Sequence, residues 1–188
     1  MAYRFVGLST GRAGSRYFTK LLNSAGIHAV HEASVSNANY RPEGKIGEVS
    51  AHLVTAPLDE STRIWHFIRH PQPFVSSLIK FGFWSMHAPA IHPYLRRTGN
   101  ALADSYLYWI DWNRRILDLA DEPQRITFKI EDVTRETISE LASSIGMSAD
   151  VEKIDPRWNE KQVFAKVPNA VETELEEMME ILGYARSC

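Results

Sequence analysis

Apolar positions along this chain alternate between short continuous runs and stripes of helical period. Residues 3–8 form a nearly continuous apolar run closed by small residues, the pattern of a buried strand. From Ser15 the period changes. Tyr17, Phe18, Leu21, Leu22 and Ala25 recur at three- and four-residue spacing, which predicts a helix stopping at Gly26. Further strands are predicted over 27–30, over 63–69 (Arg-Ile-Trp-His-Phe-Ile-Arg) and over 125–130. Helices are predicted over 73–81, with Pro73 at an early position where its missing N–H does little harm. They are also predicted over 101–119, over 134–145 with Thr134 or Thr137 as cap and Gly146 beyond its end, and over 171–182 ending at Gly183. Residues 34–47 read as a polar loop and 49–56 as a short helix, while 151–166 shows no clear period. Residues 82–99 are a long irregular segment holding Phe83, Trp84, Met86 and Tyr94 among prolines. That is the pattern of a lid over an acceptor pocket, or of a loop packed on its own core.

Strands alternating with helices predict an α/β fold in three layers: a mostly parallel central sheet with helices on both faces, P-loop NTPase-like in architecture. The 188 residues are expected to form one domain. In such sheets ligands sit outside the carboxyl ends of the strands. A net charge of -2 provides no broad basic field for nucleic acid, so any anion site must be local and built from a few arginines. The single cysteine, Cys188, excludes an internal disulfide. The first residues lack the apolar segment of a signal peptide, and no run of about 18 apolar residues predicts a membrane span. A cytoplasmic protein with no membrane partner is expected.

Between the first strand and first helix stands Ser9-Thr10-Gly11-Arg12-Ala13-Gly14-Ser15-Arg16-Tyr17. A strand, a glycine-rich turn and a helix together make an anion site. Backbone N–H groups point inward, and the helix start carries about +0.5 of an elementary charge. Gly14 lets the backbone approach an oxygen closely, and Ser15 adds a hydroxyl. Arg12 and Arg16 bring forked donors suited to oxyanions. The loop is not a Walker A loop, because Ser9 stands at its first glycine and Ser15 at its lysine.

Arg12-Ala13-Gly14-Ser15-Arg16-Tyr17 resembles the 5′-phosphosulfate loop of sulfotransferases: a base, a small residue, Gly, Thr or Ser, a variable residue, an aromatic. Arg69-His70-Pro71-Gln72-Pro73-Phe74-Val75-Ser76-Ser77 looks like their 3′-phosphate motif, an arginine ending a strand with a serine in the helix beyond. Phe128-Lys129-Ile130-Glu131-Asp132-Val133 is similar to a Tyr-Glu-Asp-Leu stretch of the same family, and Trp109 and Asn113 to its preceding helix. Over residues 3–133 the chain therefore resembles compact bacterial and phage-type sulfotransferases that use 3′-phosphoadenosine 5′-phosphosulfate.

The resemblance implies transfer of a sulfuryl group from that co-substrate to the hydroxyl of a small-molecule or carbohydrate acceptor, with no metal ion. It implies that Gly11, Arg12, Ala13, Gly14, Ser15, Arg16 and Tyr17 cradle the 5′ side and that Arg69 and Ser77 bind the 3′-phosphate. Arg12 would act as an electrostatic clamp, in place of the lysine many members carry. Glu32, after the second strand, and His52, in Ser50-Ala51-His52-Leu53, are alternatives for the general base. The C-terminal Arg-Lys-Gly motif that covers the nucleotide in cytosolic animal-type members is missing, which makes Arg96 and Arg97 candidates for covering it. Two other readings stay open: a P-loop nucleotide or small-molecule kinase, which would need a lysine after Gly14, and a non-catalytic nucleotide-binding module of the same fold. His28 and His31 form H-x-x-H without a matching carboxylate or cysteine set, so no metal is expected.

Overall fold

The computed structural model describes residues 3–33, 46–55, 58–82, 95–121, 124–155 and 165–184. The aromatic stretch Phe83, Trp84, Met86 and Tyr94 lies outside them, as does Cys188.

Among the described residues, five strands form one sheet: β1 (Phe5–Leu8), β2 (Ala29–His31), β3 (Gly47–Val49), β4 (Arg63–Ile68) and β5 (Arg125–Lys129). Their order is β2-β3-β1-β4-β5 and every pairing is parallel. Among the described residues, five helices cover it: α1 (Ser15–Ser24), α2 (Pro71–Lys80), α3 (Ala101–Leu117), α4 (Arg135–Ser144) and α5 (Glu172–Ile181). No helix of the described residues is long and apolar enough to cross a membrane.

Strand alternation decides which helices lie on which face. Phe5, Trp65 and Phe67 point to one side, where they meet Phe18, Leu21 and Leu22 of α1 and Ile138 and Leu141 of α4. Val6, Leu8, Ile64 and Ile68 point to the other, under α2, α3 and α5. Parallel strands buried on both faces read as continuous apolar runs, which is why β1 and β4 are plain in the sequence. The α1 face is aromatic: Phe5 stacks on Trp65 at 3.7 Å between centroids. A Cβ on Gly47 would lie 2.2 Å from the Phe5 ring, so β3 needs glycine there for that stack to form.

The sheet holds one strand more than the sequence pattern predicts. β3 has three residues, Gly-Glu-Val, lying where a loop and then a helix were expected. The expected 49–56 helix is instead the end of β3 followed by a single 3₁₀ turn, His52–Thr55. Elsewhere differences are confined to ends. Helix α2 starts at Pro71, two residues before the expected position. Thr134 and Thr137 both cap α4, each side chain bonding the other residue's backbone N–H at 3.2 Å.

Candidate active site

The turn after β1 opens at the middle strand of the sheet, with β3 on one side and β4 on the other. Gly14 caps α1 in the left-handed region (φ 99°), and being glycine it contributes no side-chain cap to the helix's first N–H groups. The early N–H groups of a helix have no intrahelical acceptor, so this helix start presents its donors outward. No acidic residue lies in that turn. The turn's shape is fixed from both ends. Ala13 N–H donates to the Thr10 carbonyl at 3.2 Å, and Gly11 N–H donates to Tyr108 Oη of α3 at 2.9 Å. The buried Tyr108 phenol has its pKa pushed up by desolvation, so it stays a neutral acceptor.

Among the described residues, two other than glycine have left-handed backbone: Arg12 (φ 73°) and Glu32 (φ 48°). Each such residue costs roughly 1–3 kcal/mol, held in place by its surroundings. At Arg12 the surroundings are visible. Its carbonyl accepts from Arg69 Nη1 at 3.0 Å, and its guanidinium lies 4.4 Å from the centroid of the Phe81 ring. Ser77 is one helical turn before Phe81 and shares its face of α2. Arg12 and Arg69 are thus in direct contact, and Ser77 lies on α2 one turn before Phe81.

Arg69, only 3% exposed, closes β4. Its carbonyl accepts from Trp109 Nε1 at 2.9 Å. Behind that, Asn113 Nδ2 donates to the Trp109 carbonyl at 2.7 Å, and Asn113 Oδ1 meets His66 Nε2 at 2.9 Å. On the other side Glu131 Oε1 accepts from His70 N–H at 2.7 Å. Burial raises the Glu131 carboxyl, an effect that the His70 N–H and the Arg69 charge oppose. The likeness-based residues Trp109, Asn113 and Glu131 are therefore the scaffold of the Arg69 turn. Tyr184, after α5, packs edge-on to His70 at 5.3 Å.

Glu32 lies past the end of β2, its N–H donating to the Val49 carbonyl at 3.0 Å. It is joined to the loop by a residue the sequence did not single out for this site. His31 Nε2 is 2.8 Å from Ser15 Oγ, and its Nδ1 is 3.8 Å from Glu32 Oε2. In the sequence His31 was read only as half of H-x-x-H. Its place at a strand end beside Glu32 was the available signal. Burial lowers the His31 pKa and Glu32 opposes that shift. Arg16 is near enough to contribute to lowering it. Tyr17 packs against the α1–α4 core near Asp155, with its phenol pKa raised by burial. His52 opens the 3₁₀ turn after β3, and its side chain lies outside the described residues.

Arg96 and Arg97 are engaged by carboxylates. Arg96 bonds Asp111 at 2.6 Å and Glu174 at 2.8 Å, tying α3 to α5, and Arg97 Nε bonds Asp104 at 3.0 Å. Among the described residues no group of three His, Cys, Asp or Glu side chains is placed to hold a metal ion.

No family model and no curated protein matches the chain in sequence. A solved structure does match in fold: the sulfotransferase domain from the curacin biosynthetic pathway, at TM-score 0.71 and 9% identity. The match covers 100% of this chain and 99% of that one. The three-layer α/β architecture is therefore one that a sulfotransferase domain uses throughout its length.

Proposed function

We propose that the protein is a sulfotransferase that moves the sulfuryl group of 3′-phosphoadenosine 5′-phosphosulfate to an acceptor hydroxyl by in-line displacement. One observation carries the reading: the Arg69 guanidinium bonds the carbonyl of Arg12. An arginine suited to a 3′-phosphate and a backbone loop suited to a 5′-phosphosulfate thus stand side by side at adjacent strand ends. The match in fold to a sulfotransferase domain supports it.

The donor set fits such a co-substrate, since outward N–H groups, one hydroxyl and two arginines converge without a carboxylate in the first turn of α1. The co-substrate supplies a sulfuryl group already bonded to a phosphate leaving group. Arg69 and Ser77 hold the 3′-phosphate, which ATP lacks. Ser15 and the N–H groups around Gly14 hold the 5′ side. Glu32 accepts the proton of the acceptor hydroxyl while the acceptor's oxygen–sulfur bond forms. The sulfur–oxygen bond to the 5′-phosphate breaks, and its electron pair leaves on the phosphate oxygen. Arg12 and the loop N–H groups stabilise that charge, as fixed donors do for other developing oxyanions. The reaction needs positioning and charge stabilisation, like phosphoryl transfer.

The test is thermal stabilisation by adenosine 3′,5′-bisphosphate, with ATP–Mg²⁺ and 5′-AMP alongside. A ligand at about 100 times its Kd adds roughly 2.7 kcal/mol, a clear shift in Tm. A shift with the bisphosphate alone is expected. An equal or larger shift with ATP–Mg²⁺ would replace this reading with a kinase.

A further inference from the structure

His31 stands between two groups that the proposed reaction places on opposite sides of a charge problem. Ser15 Oγ is 2.8 Å from its Nε2, and Glu32 Oε2 is 3.8 Å from its Nδ1. The imidazole is therefore the link between the anion loop of α1 and the carboxylate past β2. We infer that His31 takes up a proton when an anion occupies the loop, and as imidazolium holds Glu32 in place beside the bound anion. This rests on reading residues 12–16 as an anion site.

A hydroxyl has a single proton. With an anion on the loop, Ser15 gives that proton to the anion and keeps only lone pairs toward His31. His31 must then donate from Nε2. If it stays neutral, Nδ1 presents a lone pair to the Glu32 carboxylate, which is repulsive. If it is protonated, Nδ1–H faces the carboxylate and both contacts become attractive.

With the loop empty, Ser15 can donate to Nε2, and a neutral ring with Nδ1–H toward Glu32 satisfies both neighbours. The charged groups whose fields reach the ring are Glu32, Arg16 of α1 and, from the other face of the sheet, Glu48 of β3. Arg16 and burial favour the neutral ring; the two glutamates favour the charged one. A bound anion adds to the second side. His31 is thus a positioning residue. Without its proton, the anion and Glu32 would repel, and the carboxylate would turn away from the acceptor or become protonated.

The experiment follows the imidazole resonances of His31 by NMR across pH, in the absence and presence of inorganic sulfate and, separately, adenosine 3′,5′-bisphosphate. Sulfate does not titrate near neutral pH, so it reports the loop alone. Either anion is expected to raise the His31 pKa by about one unit, and Ser15→Ala is expected to remove most of the rise. Wild-type affinity for sulfate is expected to weaken about tenfold per unit between the free and loaded pKa values of His31. His31→Gln keeps an amide donor for Ser15 but does not titrate, and should lose that pH dependence and lower kcat more than it raises KM.

An unchanged His31 pKa in the presence of a bound anion overturns the inference, as does a His31→Gln protein with the wild-type pH dependence. If sulfate shifts His31 but the bisphosphate binds nowhere, the coupling stands and the sulfotransferase reading falls. If neither anion binds, both fall.

Discussion

Two strand-to-helix turns lie side by side at the carboxyl ends of β1 and β4, and they are built in opposite ways. The β1–α1 turn offers backbone. Gly14 has φ 99° and no side chain to cap α1, and the residues around it are small. The β4–α2 turn withholds backbone. Pro71 and Pro73 remove two of the first N–H groups of α2, and the His70 N–H is taken by Glu131. What it offers instead is one buried guanidinium, that of Arg69.

The difference follows from what each turn must hold still. A backbone cradle is rigid once its dihedrals are set, and it is tied by the bonds from Gly11 to Tyr108, from Ala13 to Thr10 and from Arg69 to the Arg12 carbonyl. A side chain has rotamers to lose, and burying its charge carries a large desolvation penalty. Arg69 is accordingly surrounded by fixed partners: Arg12 at its head, and Trp109 and then Asn113 behind its backbone. The two turns meet at the bond between Arg69 and the Arg12 carbonyl, so each helps to set the other.

The comparison breaks most visibly at Arg69. Lysine keeps the charge but offers a compact ammonium in place of a planar fork. It cannot hold the Arg12 carbonyl and a phosphate in the same way. Arg69→Lys is expected to weaken adenosine 3′,5′-bisphosphate by about 2–3 kcal/mol, on the order of 100-fold, by calorimetry. Affinity for inorganic sulfate, which needs only the loop, should change less than about threefold. Equal losses would mean that the turns form a single inseparable site.

Legibility in the sequence tracks how local each cause is. The β1–α1 turn was readable because its small residues, its glycine and the change of period all fall within one stretch. Arg69 was readable because a charged residue ends an apolar strand and a proline follows. β3 was not. Gly47 is there because the Phe5 ring occupies the space of its Cβ, and Glu48 is buried because Tyr3 Oη donates to it at 3.0 Å. Both causes lie more than forty positions away in the chain. His31 was overlooked for the same reason. Its meaning comes from Ser15, brought to it by the packing of α1 against β2. Arg96 and Arg97 looked available because the sequence does not show that Asp111, Glu174 and Asp104 face them.

A second prediction separates the turns by pH. His66 lies under the Arg69 turn, fully buried, with its pKa lowered to about 4 by desolvation, which the Asn113 bond partly opposes. Asn113 Nδ2 donates to Trp109, so its Oδ1 accepts from His66 Nε2–H, and the ring is neutral. In the unfolded chain the same ring titrates near 6.5. Between about pH 6.5 and about pH 4 the unfolded state binds the extra proton, so stability falls as pH falls through that window and levels off below it. The loss is at most roughly 3–4 kcal/mol. Urea midpoints should show it, and His66→Gln, which can still donate to Asn113, should flatten it. Tryptophan hydrogen exchange should rise first at the Trp109 indole, while the Gly11 N–H bonded to Tyr108 stays protected. Simultaneous loss of both would show that the two turns share one brace.

The smallest effect tests whether strain is stored in the first turn alone. Arg12→Gly removes a left-handed backbone penalty of about 1–2 kcal/mol. Against this stand the greater freedom of glycine in the unfolded chain, about 0.5–1 kcal/mol, and the lost contact with Phe81, about 0.5 kcal/mol at an exposed site. The terms nearly cancel, so stability is expected to be unchanged or raised by about 0.5 kcal/mol in urea titration. Turnover should nonetheless fall, because the guanidinium that the proposed reaction assigns to the leaving phosphate is gone. Arg69→Gly has no such compensation: it removes a buried partner of the Arg12 carbonyl, so stability and binding should fall together. A protein that turns over more slowly yet folds as well marks the turn where backbone geometry serves chemistry at the expense of stability. If Arg12→Gly instead destabilises the fold by more than about 1 kcal/mol, Arg12 is a brace like Arg69, and the contrast between the turns is one of composition only.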